Sequence, residues 1–277
     1  MTREGRGHSL VIMFEGKTPL PAKFREIFLK KSHNKNCLNS FLADKIFSFN
    51  NELGPLIITK DTMVLTNQIS IADDETLTHN YAEEADQKIA RHMIQCVKSG
   101  LDHVVVRTVD TDVIMSLLAY RHYPENLDCA MFALMAAGMK KVCYDITKVA
   151  HKLGKSICQG LPFFYGLSGC DISSFFFNQG KCKFWDRWMD FDDFEGLTEV
   201  FVELSAKPQS VSTDQLDIIE KYVCQVYYGD SSEPIDTKRM KDFEHSTHGN
   251  LRLLPPSRSG LMEHVKRSAY YAGWINH

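Results

Sequence analysis

The amino-acid sequence predicts an α/β fold, with a mostly parallel sheet flanked by helices and a helical extension at the carboxyl end. Residues 103–109 form a short β-branched run of nearly unbroken apolar character, which is typical of a parallel-sheet strand covered on both faces. Strand-like and helix-like segments alternate through residues 100–160, the pattern of α/β domains. After Ser173 the strand signal fades and helical spacing replaces it.

Local spacing predicts each element in the first part of the chain. Residues 10–14 are predicted as a short strand and residues 22–49 as helical, and two apolar runs, 56–59 and 63–66, are predicted to form a hairpin. The next helix begins at Asn80, a favoured N-cap residue with Glu83 three positions later as in a capping box, and it ends at Gly100.

The second part of the chain continues the alternation and then becomes helical. Residues 112–120 and 145–155 are predicted as helices, and residues 132–134 are expected to pair with residues 142–144. Further helices are predicted over residues 185–206, 213–228, 236–245 and 257–272. The expected domains are therefore an α/β domain, residues 1–190, and a helical extension, residues 191–277.

Charge is distributed unevenly along a nearly neutral chain. The 277 residues carry a formal net charge of −3, which excludes a histone-like polycation. Residues 61–86 hold seven acids and no Lys or Arg, whereas residues 139–188 hold eight bases against three acids, a net of +5. An acidic pocket beside a basic track is what a cation-dependent enzyme that acts on polyanions requires.

The cysteines and the apolar segments indicate an intracellular protein. Eight cysteines are scattered without a C-x-x-C pair, so zinc ribbons and a disulfide scaffold are not expected. Free thiols are typical of reducing compartments, here the nucleus or cytoplasm, and no signal peptide or membrane-spanning stretch is expected. No Walker A or paired-glycine dinucleotide motif is present, so no small-molecule cofactor is expected.

Three acidic motifs stand at predicted element boundaries. They are Glu83-Glu84-Ala85-Asp86 at a helix start, Asp110-Thr111-Asp112 directly after the strand, and Gly169-Cys170-Asp171 after an apolar segment. Ligands of open parallel sheets bind outside the carboxyl ends of the strands, so these acids can converge on one crevice. Clustered carboxylates repel one another unless cations lie between them, and the usual occupant is Mg²⁺ or Mn²⁺.

Each acidic motif also has other interpretations. Asp112 and Asp171 are possible helix N-caps, and Glu83 and Glu84 would interact favourably with the positive end of a helix. A strand followed by D-x-D is found at metal–nucleotide sites of glycosyltransferases. D-x-D-x-T is the signature of haloacid-dehalogenase-like phosphatases, but Val113-Ile114 puts an apolar residue where that Thr is required.

Taken together, the motifs resemble the 5′-nuclease branch of the PIN-like superfamily, which includes flap endonucleases. The resemblance is carried by Glu84-Ala85-Asp86, by the run from Val105 to Val113 and by Gly166-Leu167-Ser168-Gly169-Cys170-Asp171. It implies a hydrolase in which two Mg²⁺ or Mn²⁺ ions cleave a phosphodiester of DNA or RNA that is structured or branched. The implied metal ligands and catalytic acids are Glu84, Asp86, Asp110, Asp112 and Asp171.

The segment after the third motif supplies the expected nucleic-acid contacts. Residues 177–183 resemble the glycine–lysine turn of the family's helix–three-turn–helix element, which implies that Gly180, Lys181 and Lys183 contact a nucleic-acid backbone. Lys148 and Lys152 lie at helical spacing and form either a phosphate-contacting stripe or a solvated helix face. Basic residues, among them Arg187, interleave with aromatic side chains that either stack on bases or pack a helical subdomain: Phe175, Phe176, Phe177, Trp185 and Trp188.

The chain departs from the nuclease family at its start. The family opens with a strand that carries a metal-bridging Asp, whereas the first Asp here is Asp44, within a helical pattern. The alternative function is therefore a catalytically inactive PIN-like module that binds nucleic acid or protein, a truncated remnant of a mobile element. The chain as a whole also resembles animal open reading frames of mobile-element origin, a resemblance that implies no activity.

Overall fold

The structure, a computed structural model, describes most of the chain in two compact units. The described residues are 17, 19, 23–49, 54–60, 63–67, 77, 85–122, 129–137, 140–207, 210–245 and 251–276. The first unit is Met1–Arg91 and the second is His92–His277. The predicted strand over residues 10–14 and the predicted N-cap Asn80 lie outside the described residues.

The first unit contains a helix and the predicted hairpin. Strand β1, Ile57–Lys60, pairs antiparallel with strand β2, Met63–Thr66, which confirms the hairpin. Helix α1, Ser32–Phe49, begins later than predicted because a π-helical turn, Phe24–Phe28, precedes it. Lys60 of β1 forms an ion pair of 2.8 Å with Asp44 of α1, so α1 packs beside the hairpin.

The second unit contains a three-stranded mixed sheet, which confirms the α/β class. Its strands are β3, His103–Thr108, β4, Ala130–Ala137, and β5, Lys140–Asp145, in the order β3-β4-β5. Strand β3 pairs parallel with β4, whereas β4 pairs antiparallel with β5. The predicted pairing around residues 132–134 and 142–144 is therefore confirmed, and the described strands form a mixed sheet in place of the mostly parallel one expected.

Strand β3 is buried on one face only. Val104 and Thr108 are buried, whereas Val105, on the other face of the strand, is 61% exposed. The prediction of a strand covered on both faces is wrong, because apolar character by itself does not distinguish the packed face from the open one.

Four helices of the described chain precede, separate or follow these strands in sequence. They are α2, Ala85–Lys98, α3, Thr111–Tyr120, α4, Ile146–Leu153, and α5, Lys155–Ser168. Asp145 caps α4 by accepting a hydrogen bond of 2.9 Å from the Lys148 amide, and Gly154, with φ of 82°, turns the chain directly into α5. The sequence analysis did not predict α5 as a helix, because it contains an internal proline, Pro162, and two glycines.

The rest of the described chain is helical. Its helices are α6, Lys181–Met189, α7, Phe194–Ala206, α8, Thr213–Tyr228, α9, Ile235–His245, and α10, Arg258–Asn276. The single helix predicted over residues 185–206 is wrong, because Asp193 interrupts it. The Asp193 carboxylate accepts a hydrogen bond of 3.1 Å from the Gly196 amide and so caps α7.

Helix α5 is the buried centre of the second unit. A Cβ added at Gly160 would lie 3.1 Å from the Phe201 Cβ of α7, and one added at Gly166 would lie 3.1 Å from the Ser268 carbonyl oxygen of α10. The two glycines thus allow α7 and α10 to approach α5 closely. Because α7 and α10 pack directly on α5, the boundary expected near residue 190 falls inside one compact unit.

Candidate functional site

The first half of the candidate site is the turn that joins β3 to α3. Asp110 is the N-cap of α3, and its Oδ1 accepts a hydrogen bond of 3.1 Å from the Asp112 amide. The Thr108 hydroxyl in turn accepts a bond of 3.0 Å from the Asp110 amide. The interpretation of Asp112 as an N-cap is therefore wrong. Because Asp110 accepts the hydrogen bond from an amide of the first turn of α3, the Asp112 carboxylate is available to another partner.

The second half is the turn that follows α5. Gly169 has φ of 105°, and a Cβ added there would lie 2.6 Å from the Phe175 Cβ, so only glycine fits. The buried Ser173 hydroxyl accepts a bond of 3.0 Å from the Cys170 amide and donates one of 2.6 Å to the Gly166 carbonyl. These bonds hold Asp171 at an exposed tip, and since α6 begins only at Lys181, Asp171 is not the N-cap of a helix.

Tyr165 of α5 joins the two halves. Its hydroxyl donates a hydrogen bond to Asp112 Oδ1, although the two residues are 53 positions apart in sequence. The ring is buried and stacks on Tyr271. The two residues form a hydrophobic cluster with Ile275, and Met115 and Cys170 pack against that cluster. Sequence analysis missed this residue. The available signal was a side chain with a polar tip, four residues before Gly169, at the end of an apolar segment.

Lys181 adds a positive charge to the same place. Its ammonium donates a hydrogen bond to the Gly169 carbonyl oxygen and lies 3.8 Å from the centre of the Tyr165 ring. Burial lowers the pKa of Lys181, while the charges of Asp112 and Asp171 oppose that shift. The expected backbone-contacting lysine is thus half-buried and already bonded within the protein.

The pKa of Asp112 indicates that the three acids share one electrostatic neighbourhood. Burial raises the pKa of Asp112, the hydrogen bond from Tyr165 opposes this shift, and the negative charges of Asp110 and Asp171 raise the pKa further. We call Asp110, Asp112 and Asp171, together with Tyr165 and Lys181, the acid cluster. The Tyr165–Asp112 hydrogen bond thus links the turn that carries the second motif to the helix that precedes the third motif.

The side chains of the two remaining predicted ligands, Glu84 and Asp86, lie outside the described part of the chain. Glu84 lies outside the described residues, and of Asp86 the structure describes the backbone, in the first turn of α2. Within the described ranges, no three His, Cys, Asp or Glu side chains adopt a metal-binding arrangement. Carboxylate oxygens are the donors that Mg²⁺ prefers, so the acid cluster suits this cation in its chemistry.

The other basic residues predicted to bind nucleic acid lie on two helices. On α4, Lys148 is exposed and forms an ion pair of 3.0 Å with Asp145, and Lys152 is exposed. On α6, Lys183 donates a bond of 2.7 Å to the Gln179 side chain, and Arg187 is half-buried. Gly180 precedes α6 with φ of −78° and space for a Cβ, so nothing in its backbone requires glycine.

The aromatic side chains beside these bases divide into two groups. Trp188 and Phe176 are buried, and Trp188 packs against Phe201 with ring centres 4.8 Å apart, which confirms that these residues pack the helical part of the protein. Phe175, in contrast, is 74% exposed, next to the turn that carries Asp171.

All eight cysteines are free thiols. Among the residues that the structure covers, no helix is both long and apolar enough to cross a membrane. Comparison of the chain with protein-family models, with curated proteins and with solved structures gives no match.

Proposed function

We propose that this protein is a divalent-cation-dependent nuclease of the PIN-like type, which hydrolyses nucleic-acid phosphodiesters at the acid cluster. The observation that carries the proposal is the hydrogen bond from Tyr165 to Asp112, which joins the turn after β3 to α5, the helix that directly precedes the turn bearing Asp171. A folded protein rarely gathers like charges around a half-buried carboxyl without a use for them, and perturbed pKa values concentrate at functional sites.

The chain's own residues have distinct roles in this proposal. Asp110, Asp112 and Asp171, which by themselves do not adopt a metal-binding arrangement, would hold the cation together with Glu84 and Asp86, the further ligands that the resemblance predicts. A bound Mg²⁺ or Mn²⁺ supplies Lewis-acid polarisation of the phosphodiester and activation of water. Tyr165 orients Asp112 through its hydroxyl, and Lys181 offsets part of the negative charge beside Asp112 and Asp171.

The fold around the cluster supports a PIN-like assignment in two respects. The first acid pair directly follows β3, which pairs parallel with β4, and ligands of such sheets lie at the carboxyl ends of the strands. Helix α4 packs on β4 and β5 of the sheet, and α3 and α5, which adjoin the two turns of the cluster, pack on each other.

Cleavage of labelled flap, hairpin and single-stranded DNA and RNA with Mn²⁺ tests the proposal. Asp112→Asn and Asp171→Asn should each lower the rate by more than about tenfold, since even outer-shell changes at metal sites cost that much. Asp192→Asn removes an exposed carboxylate from the α6–α7 link and should leave the rate unchanged. Cleavage that needs no divalent cation, or that survives both cluster variants, would contradict the proposal.

One observation favours a second candidate, a nucleic-acid-binding module without turnover. The Lys181 ammonium already lies among the acids, so it offsets charge that a cation would otherwise neutralise. In this case the protein should bind no Mn²⁺ by calorimetry, yet still bind a labelled hairpin with an affinity that falls as salt rises. Lys183→Ala should then reduce the log–log salt slope by about 0.9, the contribution of one phosphate contact.

A further inference from the structure

A basic cavity lies at the end of α3 opposite to the acid cluster. It has a volume of about 400 Å³ and is lined by Arg121, His122, Thr147, Ala150, His151 and Lys155. The ten residues of α3 separate it from the acid cluster by about 15 Å. Four of the six lining side chains are basic, and none of the six is acidic.

Two polar atoms at this cavity have no hydrogen-bond partner. Arg121 Nε and His122 Nε2 are both buried, and neither is paired within the described part of the chain. Buried polar atoms are nearly always satisfied in folded proteins, so each such case calls for an explanation. The His122 ring also interacts with the Ala150 backbone carbonyl, which favours the protonated form of the ring.

The electrostatics of the cavity favour an anion. Burial lowers the pKa of His122, the interaction with Ala150 opposes this shift, and the positive charges of Arg121 and Lys155 lower the pKa further. The same positive charges would attract an oxyanion, and His122 would then gain a proton more readily.

We propose that this cavity is a binding site for a phosphate group. The Arg121 guanidinium can donate two parallel hydrogen bonds to phosphate oxygens, a geometry that lysine cannot reproduce. Lys155 adds a positive charge and is the first residue of α5. The N-cap residue of this helix, Gly154, has no side chain that could accept hydrogen bonds from the amides of the first turn. Those amides point toward the helix end that carries partial positive charge.

The phosphate has two possible sources with the same chemistry, a nucleic-acid backbone or a small phosphate. The cavity is separate from the acid cluster, so this proposal holds whether or not the acid cluster cleaves a phosphodiester.

Calorimetric titration of the full chain with inorganic phosphate tests the proposal. Sulfate serves as a second probe, because it is an anion that does not titrate near neutral pH. Saturable binding is expected, and Arg121→Gln should weaken it about tenfold, the loss of one hydrogen bond to a charged group. His151→Gln, at an exposed position of α4, provides a second variant with little risk to folding. Arg267→Gln removes the same charge from an exposed position of α10 and should bind as the parent does.

Anisotropy with a labelled oligonucleotide separates the two sources. If the phosphate belongs to a nucleic acid, free phosphate should compete with the oligonucleotide, and Arg121→Gln should reduce the salt slope by about 0.9. If it is a small phosphate, Arg121→Gln should weaken phosphate binding and leave oligonucleotide binding unchanged. The absence of saturable anion binding, or folded Arg121 and His151 variants that bind as the parent does, would overturn the proposal.

Discussion

The hydrogen bond from Tyr165 to Asp112 provides the sharpest test of the acid cluster, because each partner can be changed without loss of packing. Tyr165→Phe removes only the hydroxyl and keeps the ring in its hydrophobic cluster with Tyr271 and Ile275. Asp112→Asn keeps an oxygen that can accept the bond but removes the negative charge. The two variants and their combination form a double-mutant cycle that isolates the bond.

The expected free energies follow from the burial and charge of the pair. A hydrogen bond to a charged group contributes about 1.5–3 kcal/mol, and because Asp112 is only half-buried we expect about 1.5 kcal/mol for Tyr165→Phe. In the Asp112→Asn background the bond is neutral, so the same change should cost about 0.5 kcal/mol, a coupling of about 1 kcal/mol. In a domain of this size, 1.5 kcal/mol corresponds to a fall in Tm of about 3–6 °C.

Asp112→Asn alone should leave the metal-free protein as stable as the parent or slightly more stable. The pKa of Asp112 is raised above its ordinary value of 3.8, so the contribution of this carboxyl to stability is present in acid and is lost as the pH rises through the folded pKa. The advantage of the Asn variant should therefore be absent at about pH 4 and fully developed at about pH 7.

Thermal melts in metal-free buffer between about pH 4 and pH 7 measure these effects. Two results would refute the argument. One is the same cost of Tyr165→Phe in both backgrounds, which would mean that the hydroxyl does not interact with a charge. The other is an Asp112→Asn variant less stable than the parent by more than about 1 kcal/mol at neutral pH, since then the carboxylate would stabilise the fold.

Three further predictions concern the framework of the second unit. Gly169→Ala should lower stability by more than about 2 kcal/mol, because it combines a left-handed φ with a backbone clash, while Gly180→Ala, at an open position with ordinary φ, should melt as the parent does. Gly166→Ala should cost about 1–3 kcal/mol by forcing α10 away from α5, as measured by urea unfolding, and an unchanged midpoint would contradict the close packing. Burial lowers the pKa of His264 below 6.5, so its contribution to stability is lost as the pH falls from about 6.5, and His264→Phe should flatten the fall in Tm between about pH 7 and pH 5.

The fold class and the position of the acids along the chain could be predicted from the sequence, because both depend on local patterns. Hydrophobic periodicity and caps are local properties, so the hairpin of β1 and β2, the strand β3 and helices α3, α8 and α9 could be predicted from a few neighbouring residues. The placement of Asp110-Thr111-Asp112 directly after β3 is equally local, and in the structure the negative charge of Asp171 raises the pKa of Asp112.

Features that depend on packing between distant segments could not be predicted from the sequence. Helix α5 contains Gly160, Pro162 and Gly166, which oppose a helix by propensity, yet burial among α7 and α10 outweighs that cost and uses the glycines for close approach. The mixed sheet and the exposed face of β3 depend on which distant segments pair with the strands or pack on them. A pattern of neighbouring residues does not contain this information.

The acid cluster shows the same division at the level of single side chains. The sequence analysis identified the carboxylates of the cluster. It did not predict that Asp110 caps α3 or that Asp112 accepts a hydrogen bond from Tyr165. It predicted that Lys181 contacts a nucleic acid. In the structure the Lys181 ammonium donates a hydrogen bond to the Gly169 carbonyl oxygen, in the turn after α5. Residue type and spacing show which polar side chains are present. Which hydrogen-bond partner each of them has depends on contacts between segments that are distant in sequence. Such partners are needed because an unpaired polar atom in a buried position destabilises the fold.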